Sequence, residues 1–321
     1  MPCLKSHESH HKPVVRDERR LSVAAVWAVF HGQAIDKAVM LDLLAVVDRV
    51  VVVDNRSRAR TPLEGHDVLS ALGRPGAVQM IGNHNAGGLA GAYNRAVAWL
   101  RGAHPELDCV VFLDEDSDVS ALQPFLVDRE VKELLTSPST AAVAPVPKDL
   151  ATGLRSKRMQ FVSRWRLRYL PRDCTGLLPV AFVINSMSVW RMQALNRLGP
   201  HDEGLAVDHV DTDYCLRARR AGLHVYCHGD YSFGHRIGQR QRFSVLGLQM
   251  QAGGHGAKRR YMIGRNTTWL ARRSLLREPG FSLLCGLRLV YEALGILAAE
   301  ERRGAKLWAL AKGAVAGLWA R

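Results

Sequence analysis

Three apolar runs, each stopping abruptly at polar or acidic residues, constrain this chain more than anything else in it. Leu21 to Phe30 is rich in valine and alanine, Val50 to Val53 is four consecutive valines ending on Asp54-Asn55, and Cys109 to Leu113 ends on Asp114-Glu115-Asp116. A strand with one wet face alternates apolar and polar residues, whereas an unbroken run is the mark of a strand buried on both faces of a parallel sheet. Between the first two runs, Ile35, Val39, Leu43 and Val46 or Val47 fall at helical spacing. A weaker strand is expected at Val78–Ile81, followed by a small-residue loop from Asn83 to Gly91 and a helix to about Leu100. Strand and helix in alternation predict a doubly wound α/β sheet. Such sheets bind ligands beyond the carboxyl ends of their strands, where Asp54, Asp114 and Asp116 stand.

A length of 321 residues suggests about two domains and can bury a large core without disulfides or a structural metal. The 44 basic residues outnumber the 30 acidic ones by 14, which favours anionic partners without choosing among nucleic acid, nucleotides and phospholipid. None of the six cysteines forms a CxxC pair, so a zinc ribbon or a dithiol redox site is disfavoured and a reducing compartment is expected. Residues 1–20 read as a polar tail without the apolar core of a signal peptide. Its His7, His10 and His11 suit either a metal or plain solvation. Segment 283–299 comes nearest to a membrane span, but Arg288 and Glu292 interrupt it. The expected location is cytoplasmic, with peripheral contact at the inner face of the membrane as a possibility.

Farther along, Arg155, Lys157, Arg158, Arg164, Arg166, Arg168 and Arg172 crowd around Phe161, Trp165 and Tyr169. That mixture suits nucleic acid, a lipid-diphosphate acceptor, an anionic membrane surface or a solvated loop. Segment 180–190 has apolar strand character, and a helix is expected from about Val207 to Ala221, stopped by Gly222. The region 241–321 reads as helical. It sets Leu283, Leu287, Val290, Leu294 and Leu297 on one helical face and Trp308, Ala311, Val315 and Leu318 on another, beside Arg302, Arg303, Lys306 and Lys312. Such helices either lie on a membrane or pack against the rest of the chain or a second subunit.

The acids carry the chemistry. Asp114 and Asp116 just past a buried strand suit a shared Mg²⁺ or Mn²⁺, hard ions that also take substrate phosphates, while an acidic loop or helix cap is the plain alternative. Asp54 can accept from a nucleobase imide or serve a turn. In NHNAGGLAGAYNRA (83–96) the small residues permit close approach of a ligand, yet neither GxGxxG nor a Gly-Lys-Ser/Thr loop is present, which disfavours a nicotinamide dehydrogenase or a P-loop NTPase. In DHVDTDYCLRARRAG (208–222), Asp208 reads as a helix cap and Asp211 or Asp213 as a candidate general base. His235 in FGHRIG is a candidate metal ligand.

Taken in order, Asp54-Asn55, Asn85-x-Gly-Gly, LDEDS, VDTDYCLRARRAG and the late His resemble the family 2 glycosyltransferases over about residues 22–240. VDTDYCLRAR and RRYMIGRN (259–266) look most like the bacterial rhamnosyltransferases of that family, which use dTDP-L-rhamnose. The resemblance implies a GT-A fold, a doubly wound mixed but mostly parallel sheet over residues 21–240, with a helical C-terminal extension over 241–321. By the same resemblance Asp54 contacts the pyrimidine, and Asn85, Gly87 and Gly88 form the loop near the donor. Asp116 is then the direct metal ligand, Asp114 a ribose or metal contact, and His235 completes the metal and diphosphate site. Asp211 matches the base. The family often has Glu where Val210 stands here, which leaves Asp213 as a rival. The implied activity is inverting, metal-dependent transfer of a sugar, rhamnose or one carried by UDP, to a cell-surface glycan or lipid-linked acceptor. A nucleotidyltransferase and a non-enzymatic nucleic-acid-binding protein are the rival classes. The first lacks a Gly-rich, Lys-bearing phosphate loop after its first strand, and the second rests on charge alone.

Overall fold

The computed structural model describes residues 20–30, 36–56, 76–206, 208–235, 241–245 and 248–320, with backbone alone from 241 to 252. The histidines of the expected tail, Ile35 and Val207 lie outside the described residues. The three apolar runs form β1 (Val23–Val29), β2 (Arg49–Asp54) and β4 (Cys109–Asp114), and the weaker run forms β3 (Val78–Gly82). The helices between them are α1 (Lys37–Val46), capped by the Asp36 carboxylate, and α2 (Gly88–Ala103). Two short helices, α3 (Leu122–Val127) and α4 (Arg129–Thr136), lead to β5 (Thr140–Asp149). Strands β8 (Leu177–Val180), β9 (Val189–Arg191) and β10 (His224–His235) complete an eight-stranded sheet, with α5 (Met192–Leu198) and α6 (Val210–Arg220) between β9 and β10.

The strand order is β3-β2-β1-β4-β9-β5-β10-β8. Six strands point one way; β9 runs against β4 and β5, and β8 runs against β10. The sheet is therefore mixed and mostly parallel, as expected. Alternation along each buried strand feeds two cores. Val26, Val51, Val110 and Phe112 pack against α2, α5 and α6 on one face. Ala25, Val50, Val52 and Val111 pack against α1, α3 and α4 on the other. Hydrophobic burial on both faces is what holds four consecutive valines in a strand.

Two expectations need correction. Within the segment 180–190 only its two ends are strand, Val180 closing β8 and Val189–Trp190 opening β9; between them the chain turns through Asn185–Ser188, with Met187 in the left-handed region. The region after 240 opens with a hairpin, β11 (Gln241–Val245) and β12 (Leu248–Ala252), before its helices begin. Those are α7 (Ala257–Ser274), α8 (Pro279–Ala299) and α9 (Arg303–Trp319). The basic stretch 155–172 forms a second hairpin of β6 (Arg158–Phe161) and β7 (Leu167–Leu170).

Inside the helical region a buried ionic network accompanies the apolar cluster of Ile263, Ile296 and Leu310. Arg260 is wholly buried between Glu292 and Glu300, and Lys306 adds a 2.8 Å pair to Glu300. A buried charge is tolerated only when paired and hydrogen-bonded, so this network fixes the relative placement of α7, α8 and α9. Leu283, Leu287, Leu294 and Leu297 of α8 face outward, while Leu289 packs on Ile263, Ile296 and Leu310.

Candidate active site

Parallel strands put their carboxyl ends on one rim, and the switch in strand order falls between β1 and β4, the place where such sheets hold ligands. Asp54 lies opposite Val29, and Asp114 opposite Ala28. With β1 between them, the two acids stand roughly 10 Å apart across the rim. Strand alternation sends them toward opposite faces of the sheet. Glu115 turns back, its carboxylate accepting from the backbone N–H of Phe30 at 3.0 Å.

Asp114 is held from three sides. Its Oδ1 accepts from the Tyr93 hydroxyl at 3.1 Å, and its backbone N–H donates to Ser117 Oγ at 2.8 Å, which in turn meets Ser186 Oγ at 2.8 Å. Burial pushes its carboxyl above the ordinary range, the charge of Asp116 adds to this, and Tyr93 and His235 oppose it. Tyr93, Ser117 and Ser186 received no role from the sequence; a hydroxyl carries no period or motif, and only the fold brings Ser117 and Ser186 together.

Asp54 is clamped by its neighbour. Arg56 Nε meets Oδ1 at 2.9 Å and Nη2 meets Oδ2 at 2.7 Å, and these bonds hold the carboxyl below its usual value. An ionised carboxylate has about four acceptor positions, so Asp54 retains capacity for a further donor.

The glycine loop packs closely against a neighbouring segment of the chain. Gly87 and Gly88 have φ of 65° and 63°, and a Cβ on Gly87 would collide with the Glu203 carboxylate, one on Gly88 with the Ala206 carbonyl. The glycines therefore let this loop close against the 203–206 segment. Asn83 Nδ2 reaches Asn55 Oδ1 at 2.7 Å, and Asn55 Nδ2 reaches the Gly88 carbonyl at 3.1 Å, which ties the loop to the end of β2. Asn85 is also left-handed, at φ 57°, and its carbonyl accepts from Gly88.

Asp211 lies in the first turn of α6 and lines a cavity of about 640 Å³, together with Lys157, Ile184, Arg288 and Tyr291. Its Oδ1 accepts from the Thr212 N–H at 2.7 Å. Burial raises its carboxyl above the ordinary range, and the charges of Asp208 and Asp114 raise it further. The rival Asp213 is only 1% exposed, faces Arg217 at 3.8 Å, and does not line this cavity. Asp208 is not the expected cap. His209, left-handed at φ 67°, occupies the N-cap position with no side-chain cap bond, and Asp208 pairs instead with Arg259 at 3.3 Å. His209 Nε2 lies 2.9 Å from an Arg288 guanidinium nitrogen, and burial drives its imidazole down to about 3, so it is a neutral acceptor for Arg288.

His235 ends β10 on the same rim and lines a smaller cavity of about 220 Å³. The two cavities share Lys157 and Phe182–Ile184 as a wall. The Nδ1 of His235 is buried without a hydrogen-bond partner, as is the side-chain amide of Asn185, the residue after the cavity-lining Ile184. Among the described residues, no three His, Cys, Asp or Glu side chains are gathered closely enough to form a metal cluster. Asp114, Asp116 and His235 therefore share a neighbourhood but not a finished coordination sphere. Their donor types fit a hard divalent ion that takes further oxygens from a bound diphosphate, and the unpartnered Nδ1 is consistent with such a role.

The glycosyl transferase family 2 profile matches residues 37–199, just over half of the sequence. The chain belongs to glycosyl transferase family 2. The matched segment contains Asp54, the glycine loop, Asp114 and Asp116, and stops short of Asp211 and His235. The enzyme is 31% identical over 107 residues to the dTDP-rhamnosyl transferase RfbF of Shigella flexneri. That alignment spans 32% of this chain and 35% of the relative, about a third of its length. Two solved structures are similar at 13% identity. One is GalNAc-T7 with UDP, GalNAc and Mn²⁺, with a TM-score of 0.48 over 78% of this chain and 51% of that one. The other is S. aureus TarS 1–349 in complex with UDP, with a TM-score of 0.45 over 91% of this chain and 70% of that one.

Proposed function

We propose that this glycosyltransferase moves L-rhamnose from dTDP-L-rhamnose, with inversion, to a hydroxyl of a cell-surface glycan or lipid-linked acceptor. The observation that carries the mechanism is the position of Asp211. It faces a cavity large enough for an acceptor, while the charge of Asp114, at the strand rim, acts on it electrostatically. Donor and acceptor sides thus meet at one carboxylate.

The base of the nucleotide is assigned to Asp54 and the diphosphate to the rim at Asp114 and Asp116. The residues that would hold Mg²⁺ or Mn²⁺ are Asp116, Asp114 and His235. The chemistry such an ion supplies when bound is stabilisation of charge on the departing diphosphate. Asp211 accepts the proton of the acceptor hydroxyl, whose oxygen forms a bond to C1 from the face opposite the leaving group. The C1–O bond to phosphate breaks, and the nucleoside diphosphate leaves with the electron pair. One displacement inverts the anomeric centre, by the stereochemical logic of inverting glycosidases. The raised carboxyl of Asp211 makes it a stronger base than an ordinary aspartate once ionised.

The rhamnose assignment is supported by the similarity to the Shigella flexneri protein. A UDP-sugar is the alternative donor, since pyrimidine recognition by Asp54 does not distinguish thymine from uracil. A thermal-shift titration with dTDP-L-rhamnose, with and without Mn²⁺ and beside UDP-sugars, tests this, because a ligand of the folded state raises Tm. The largest metal-dependent rise is expected with dTDP-L-rhamnose. A larger rise with a UDP-sugar discards rhamnose and keeps the mechanism.

A further inference from the structure

Helix α8 is long and apolar enough, by length and composition, to cross a membrane, and little of it is buried. Its wheel divides cleanly. Leu283, Leu287, Val290, Leu294 and Leu297 point outward with no charge among them. Arg288 and Glu292 point inward, to His209 and Arg260. Phe281, Cys285 and Ile296 pack on the inner side. A helix whose inner face is committed to ionic partners within the protein suits lying in an interface plane, apolar face down.

Three other segments also carry exposed apolar side chains. Leu318 of α9 lines one groove with Leu283 and Leu287. Trp308 and Trp319 of α9 are 71% and 79% exposed, and Leu276, in the turn before α8, is 82% exposed. The tip of the β6–β7 hairpin leans on that turn: Arg164 donates to the Leu276 carbonyl at 3.1 Å, and the close approach of the Trp165 carbonyl leaves no room for a side chain on Gly280. Trp165 is itself 67% exposed. The basic hairpin and the apolar helix are therefore parts of one surface. A patch of this extent marks an interaction site.

Charge selects the occupant. Residues 257–320 hold twelve lysines and arginines against four glutamates, 12 − 4 = +8. Three of the glutamates, Glu278, Glu292 and Glu300, are spent in pairs with Arg220, Arg260 and Lys306. Exposed Arg272, Arg273 and Arg277 border Leu275 and Leu276, and exposed Lys312 lies between Trp308 and Trp319. A second copy would bring the same positive charge to the contact. An anionic bilayer brings the opposite charge and an apolar interior, and tryptophan favours the boundary between the two.

We propose that α8, α9 and the 162–166 hairpin tip dock this enzyme on an anionic membrane surface, with α8 lying in the interface. Leu287 lines both the outer groove and the cavity of Asp211, so docking sets the acceptor cavity beside the lipid. The proposal is independent of which sugar is transferred.

The test is flotation of the full chain with vesicles of phosphatidylcholine alone or mixed one-to-one with phosphatidylglycerol. The protein is expected to float with the mixed vesicles and to be released by high salt. Val290→Glu with Leu294→Glu, both at exposed positions, is expected to weaken this binding at least about tenfold. Trp308→Ser is the second variant, expected to weaken it less, and circular dichroism and melting confirm that both remain folded. Absence from the mixed vesicles overturns the proposal, as does equal binding of the folded double variant. A dimer of the wild-type chain that the double variant converts to monomer also overturns it, since a second copy would then be the occupant.

Discussion

The hydroxyl of Tyr93 donates to Oδ1 of Asp114 across 3.1 Å, joining the middle of α2 to the end of β4. Tyr93 is fully buried, and burial together with the adjacent carboxylate keeps its phenol protonated well above the usual range. The bond opposes the rise that burial imposes on Asp114. Tyr93→Phe is expected to raise the Asp114 carboxyl further. A hydrogen bond to the charged form favours that form, so the acidic limb of kcat/KM is expected to move to higher pH. An unchanged limb in a folded variant contradicts this role.

Asp211→Asn removes the assigned base while keeping its shape. General-base catalysis contributes about 10²–10⁴-fold, and kcat is expected to fall in that range with donor affinity little changed. In the wild type, activity should rise as pH increases through the elevated value of Asp211, above the ordinary aspartate value of about 3.9. Calorimetric donor titration beside a pH–rate profile checks both statements.

Gly88→Ala tests the loop closure. The new methyl would meet the Ala206 carbonyl at a φ of 63°. The left-handed conformation alone costs about 1–2 kcal/mol, and the collision adds to it, so a loss of about 2 kcal/mol or more is expected in urea unfolding. A neutral result would mean that the 203–206 segment is free to withdraw.

His201 makes a prediction about stability. It is buried, stacked on Tyr214 at 3.9 Å, and burial lowers its imidazole to about 3. The unfolded chain takes up this proton near pH 6.5, while the folded chain refuses it until about pH 3. Its contribution is therefore present above pH 6.5 and lost as pH falls toward 3. His201→Phe is expected to flatten the acid side of the Tm–pH curve relative to wild type; parallel curves contradict the assignment.

Much of the strand rim was legible because unbroken apolar runs such as Val50–Val53 have one structural solution, and the acids that stop them fall on the rim by the parallel topology. Strand β5 passed unread because alanines and two prolines dilute its apolar signal, and β10 because His224, His228 and Asp230 interrupt it. The glycines at 87 and 88 mark a place where backbone comes close to something; that Glu203 and Ala206 stand against them needed the fold. The choice between Asp211 and Asp213 needed the fold as well, since two residues along a helix turn a side chain by about half a revolution. The apolar stripe of α8 was plain in the periodicity, but periodicity does not reveal which way a stripe faces. Here the inward face carries Arg288 and Glu292.

The most direct test of the account separates binding from chemistry in a single variant. Wild type and Asp211→Asn are given dTDP-L-rhamnose with Mn²⁺ and a hydroxyl acceptor, and donor affinity and release of nucleoside diphosphate are measured side by side. Donor binding is expected to be equal, and release at least about a hundredfold slower in the variant. Release at the wild-type rate by Asp211→Asn would contradict the assignment of Asp211 as the base.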